Sequence, residues 1–164
     1  ADLDKNMFDD LQKKIGTDAM AGLFKSLDVC TETQTSTVEL LMPKLSYLQP
    51  GPDDNFRNVF YWVPQVGKMA EAEALLAEWV KASSSKNCPA GFQIFRTVFG
   101  GQPRFISVSW GKNQADLAQK LQKNHELMGD EGAKLWEKVL TITKSYYTKV
   151  GWIENELGYA PAPN

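Results

Sequence analysis

From Phe56 onward the apolar positions alternate between two periods. Phe56-Arg57-Asn58-Val59-Phe60-Tyr61-Trp62-Val63 is an aromatic and β-branched run closed by Pro64 and Gly67, which predicts a strand. Residues 68–82 place Met69, Ala72, Leu75, Leu76, Trp79 and Val80 at the spacing of one helix face. The polar run at residues 83–89 breaks that helix. Residues 91–99 and 104–110 read as two strands joined by the hairpin turn Gly100-Gly101-Gln102-Pro103. Helical spacing returns at residues 114–126 and 133–144, interrupted by Gly129-Asp130-Glu131-Gly132, and residues 146–157 predict a last strand. The order β-α-β-β-α-β is the ferredoxin-like split unit.

The part before Phe56 is less regular. Residues 2–14 show helical spacing up to Gly16, and a second helical stretch covers residues 18–30. Residues 35–48 are β-branched and apolar but contain Pro43, so they predict an edge or bent strand. The turn formers from Gln49 to Asp54 then read as a linker. A shift of 112 positions aligns Asp18 with Asp130, Leu23 with Leu135, Thr31 with Thr143, Val38 with Val150 and Tyr47 with Tyr159. A self-similarity of that length suggests a duplicated unit. The expected division is a partial repeat at 1–49, a linker at 50–55 and a ferredoxin-like domain at 56–164. The strand at 35–48 then needs a sheet to join, because an unpaired buried strand leaves its backbone groups unsatisfied.

Apolar content of 43% and charged content of 23% are those of a globular chain. A net charge of −2 with mixed signs argues against a nucleic-acid footprint, and no apolar run reaches the roughly 20 residues of a membrane span. Cys30 and Cys88 are too few for a disulfide framework. Two unpaired thiols is the simpler reading, and a single bridge is the alternative. A start at Ala1 rather than Met implies an upstream segment removed by leader cleavage, proteolysis or an expression boundary. The compartment is left open.

The strands are apolar on both faces. Phe92, Ile94 and Val98 point one way while Phe95 and Phe99 point the other. Helices cover one face of such a sheet, so the other needs a second cover, and another sheet is the natural candidate. The stretches Phe60-Tyr61-Trp62-Val63-Pro64-Gln65-Val66-Gly67-Lys68 and Gly91-Phe92-Gln93-Ile94-Phe95-Arg96-Thr97-Val98-Phe99-Gly100-Gly101, with a strand ending in Trp110, resemble the dimeric α/β-barrel superfamily. The likeness is to its NIPSNAP-like and antibiotic-biosynthesis-monooxygenase-like domains. It implies an α+β fold in which two such units, from two chains or in tandem, close one barrel.

The resemblance also bears on chemistry. Haem-degrading members carry a ligating histidine on a comparable helix and an asparagine on the first strand, which implies His125 and Asn58. His125, the sole histidine, is then an iron ligand or a general base. Its neighbours Lys123, Asn124 and Glu126 favour a solvated helix position instead. One histidine also excludes a multi-histidine metal site. Arg96, mid-strand, either binds an anion or pairs with a carboxylate such as Glu154 or Glu156. Tyr61, Trp62, Trp110 and Trp152 belong to an aromatic set that lines a ligand cavity between sheets or fills a core. The expected function is small-molecule binding or assembly, with a homodimer and a small apolar ligand as partners. The alternative is a monooxygenase, haem-dependent or cofactor-free, working in an inter-sheet cavity.

Overall fold

A computed structural model describes residues 8–154. They fall into two compact units, one ending at Ser36 and one beginning at Thr37.

The first unit holds α1 (Asp9–Ile15) and α2 (Thr17–Cys30), joined at Gly16. Gly16 takes φ 86°, a conformation a side chain would strain. Asp9 and Asp10 open α1 and Lys13 and Lys14 close it, matching the helix dipole. Phe8 meets Phe24 edge-on at 5.3 Å. The helix predicted over residues 2–14 is described only from Asp9 on, and residues 2–7 lie outside the described part.

The second unit is α+β. Its strands are β1 (Val38–Leu41), β2 (Phe56–Pro64), β3 (Phe92–Phe99), β4 (Phe105–Gly111) and β5 (Thr143–Trp152), with α3 (Met69–Ser85) and α4 (Gln114–Thr141) between them. All pairings are antiparallel, in the order β1-β3-β4-β2-β5. From β2 to β5 this is β-α-β-β-α-β, compatible with a ferredoxin-like unit. The strand expected over residues 35–48 is shorter than its apolar run: Pro43 starts a 3-10 turn, Pro43–Leu45, directly after β1. β1 finds its sheet by pairing with β3, and Tyr47 adds a bridge to Phe92. The last strand begins earlier than expected, at Thr143, and the predicted residues 155–157 lie outside the described part. Among the described residues, no helix is long and apolar enough to cross a membrane.

The core sits between the sheet and the two helices. Trp62, Ile94 and Phe105 meet Ala72 and Leu75 of α3 and Val139 of α4, all nearly or fully buried. The Trp62 indole donates to Thr143 Oγ1 at 2.7 Å, so its polar edge is satisfied inside the core. α4 starts at Asn113, whose Oδ1 accepts the Asp116 N–H at 2.9 Å. Asp116 is held below the usual carboxylate range by Lys120 and then by the Lys112 N–H. The two helical stretches expected at residues 114–126 and 133–144 are both present and extend toward each other until they meet at a kink at Gly129 (φ 49°, ψ −135°), inside the predicted interruption; together they are named α4 and end at Thr141.

The alternate side chains point away from α3 and α4. Val59 and Tyr61 of β2, Phe95 of β3, and Ile106 and Val108 of β4 make this second face apolar. At its β1 end Arg104 binds Glu39 at 3.1 Å and lies 5.0 Å over the Tyr61 ring, which stacks on Tyr147 at 4.4 Å.

Candidate functional site

A cavity of about 700 Å³ opens between the helix-covered face of the sheet and the bent α4. That volume is within the roughly 300–1,000 Å³ range of small-molecule sites. Its floor is two cross-strand rows. Phe92, Ser109 and Asn58 lie side by side on β3, β4 and β2, and Ile94, Ser107 and Phe60 form the next row. Serine at both β4 positions leaves space where larger residues would meet the helices. Leu76, Trp79 and Ser83 of α3 form one wall, and α4 forms the other with Leu121, His125, Met128 and Trp136.

The bend in α4 shapes that second wall. Gly129 occupies backbone angles open to glycine and little else. One turn on, a Cβ on Gly132 would lie 2.7 Å from the Met128 Cβ, so the bend also requires that glycine. The first half of α4 is fastened to the chain before β3: the Asn124 amide accepts the Ala90 N–H at 2.9 Å and donates to the Ala90 carbonyl at 3.0 Å.

The lining is mostly apolar with a few polar groups. Asn58 Oδ1 is buried and has no hydrogen-bond partner, an arrangement that costs about 1–3 kcal/mol when left unmet. Phe60 and Trp136 meet at 6.2 Å, and Tyr146 closes a three-ring cluster with both. His125 is exposed and Glu137 is exposed, and both border the cavity at its mouth. Nearby, burial pushes the Cys88 thiol up, with Lys86 and the Ser83 hydroxyl acting the other way.

The structure brings His125 and Asn58 to this one cavity. The other sequence candidates lie elsewhere. Trp62 is in the core, and Tyr61 is stacked on Tyr147 on the opposite sheet face. Trp110 is buried on that opposite face, so close to Gly91 that a Cβ there would be 2.7 Å from its ring. Trp152 packs edge-on against Phe56 at 5.0 Å. Arg96 pairs with Glu73 of α3 at 3.3 Å; Glu154, its expected partner, lies past the end of β5, and Glu156 is outside the described residues. Cys30 is exposed, Cys88 is buried, and both thiols are free. Sequence reasoning missed Ser107, Ser109, Trp79, Met128 and Glu137. The readable signal was Phe105-Ile106-Ser107-Val108-Ser109-Trp110, where two small polar residues share the face of a fully buried phenylalanine.

Among the described residues no group of three or more His, Cys, Asp or Glu side chains is placed to hold a metal ion. No protein family, curated protein or solved structure matches this chain.

Proposed function

We propose that this protein is a small-molecule-binding domain of the dimeric α/β-barrel type, and that its ligand occupies the cavity between sheet and α4. One observation carries the reading: a cavity of about 700 Å³ is walled by Phe60, Trp79, Phe92 and Trp136, and its floor includes Asn58, whose buried amide oxygen has no partner in the fold. Apolar walls with a few convergent polar groups are the usual composition of a ligand site. The test is titration with naphthylmethanol, a neutral aromatic alcohol, followed by quenching of Trp79 and Trp136. Saturable one-site binding in the micromolar range is expected. A linear, unsaturable response overturns the reading.

The second, apolar sheet face supports self-association. Val59, Tyr61, Phe95, Ile106 and Val108 lie on the side opposite α3 and α4. Three buried polar atoms near that face, Glu39 Oε2, Thr97 Oγ1 and Arg104 Nε, have no partner. A second copy packed sheet to sheet would cover the first set and offer groups to the second. Light scattering at micromolar concentration is expected to give a dimer, and Val108→Asp a monomer. A monomeric parent protein rules this out.

A second reading is oxygenation of a phenolic substrate, favoured by His125 and Asn58 lining the same cavity. Haem does not fit this lining. His125 would offer a nitrogen ligand, but no Lys or Arg lines the cavity to meet the propionates, and Glu137 sets a carboxylate in the lining. What remains is cofactor-free chemistry, with His125 as the base that removes a phenolic proton and Asn58 as the group that orients the ring oxygen. Dioxygen uptake with a dihydroxynaphthalene, lost in His125→Ala, is the expected result. Uptake equal to the uncatalysed rate sinks it.

A further inference from the structure

The charges around the cavity go further than its shape. Among its lining residues only His125 and Glu137 carry ionisable side chains. Glu137 has neither an ion pair nor a hydrogen bond among the described residues. Nearby cations are engaged or turned elsewhere. Lys138 binds Glu78 at 3.2 Å and Lys123 binds Glu126 at 3.0 Å. Lys134 lines a different groove, the one between α3 and α4. The mouth therefore presents an uncompensated carboxylate. Directly before Glu137 in the chain stands Trp136, whose indole also lines the cavity. Indole faces attract cations more strongly than other aromatic rings do. Deeper inside, the lining residues with an unpartnered buried atom are Asn58, whose Oδ1 accepts, and Ser83, whose hydroxyl accepts or donates.

We infer that this site selects organic amines: an aromatic or alkyl body between Phe60, Trp79 and Phe92, with its ammonium at Glu137 and Trp136. The inference rests on the small-molecule reading above and adds the charge of the ligand. An anion meets a carboxylate and no lysine or arginine, with His125 the one basic side chain in the lining. A neutral molecule fills the walls but leaves Glu137 unanswered. An ammonium donates hydrogen bonds, pairs with the carboxylate and lies near an indole.

The test compares three probes with one body: naphthylmethylamine, naphthylmethanol and naphthoic acid, each followed by tryptophan quenching and calorimetry at pH 7. Because Glu137 is exposed, its attraction is screened by solvent and the expected preference is modest. The amine is expected to bind about fivefold more tightly than the alcohol, and the acid more weakly than either. In Glu137→Gln the amine-to-alcohol ratio is expected to fall to about twofold or less, and raising the salt concentration narrows it in the parent protein. Equal affinity for amine and alcohol, tightest binding of the acid, or a ratio untouched by Glu137→Gln each overturns amine selection. In those three outcomes the alcohol still binds, so the small-molecule reading stands. Failure of all three probes to bind overturns both.

Discussion

Replacing Phe105 by alanine is expected to cost about 3–5 kcal/mol of stability, the range for deleting a buried aromatic ring. Phe105 is 1% exposed, and its ring centroid is 6.0 Å from that of Trp62. It lies on β4, a central strand, and belongs to the cluster that includes Ala72, Leu75, Ile94, Val139 and Ile142. Those neighbours belong to α3, to β3 and to the end of α4 and its cap, whose backbones are fixed by their own hydrogen bonds, so the hole left behind cannot close by a local shift. A domain of this size has a total stability of about 5–15 kcal/mol, so the loss is a large share of it. Denaturant melts of the parent and the variant measure the difference. A loss under about 1 kcal/mol would show that the sheet and helices do not meet at this ring.

Filling the cavity has the opposite signature. Ser107→Leu adds an apolar side chain on the floor between Phe60 and Ile94. Each buried methylene contributes about 0.8 kcal/mol, so the folded state is expected to hold or gain stability. Naphthylmethanol binding is expected to drop at least a hundredfold, because the new side chain occupies the ligand's place. The two readouts separate a binding site from a packing flaw. A flaw would be mended with nothing lost, whereas a site loses its ligand while the melt moves upward. Unchanged binding in Ser107→Leu would put the ligand somewhere other than this floor.

The scaffold was legible because its strands and helices carry strong periods. The run from Phe56 to Val63 could only be a strand, and Met69, Ala72, Leu75, Leu76, Trp79 and Val80 only a helix face; both start within a residue of where the pattern puts them, while α3 continues through Ser83, Ser84 and Ser85, three residues past the expected break. The cavity was much harder to read. Periodicity locates faces, but it does not say where a face is left unfilled. Ser107 and Ser109 alternate with Ile106, Val108 and Trp110, so a one-sided sheet would have put the serines in water. They face the helices because both faces of this sheet are apolar, and only pairing with β2 and β3 makes that visible. Asn58 and His125, far apart in sequence, line one cavity through the crossover from β4 into α4. The glycines of Gly129-Asp130-Glu131-Gly132 signalled an interruption, but whether a helix stops or bends depends on what it packs against. Pro43 was correctly a warning, and it cut β1 to four residues.

The strand order also governs how the chain can be made. β2 is flanked by β4 and β5, and both of those neighbours lie later in the sequence. While the ribosome adds them, at about 5–20 residues per second, the most aromatic strand of the protein waits with both backbone edges open. Its first hydrogen-bonded neighbour arrives with Phe105, and its second only once Trp152 has emerged. Nascent chains that stall between those points carry a bare Phe60-Tyr61-Trp62-Val63 edge, which makes this window the one in which a chaperone's grip matters most.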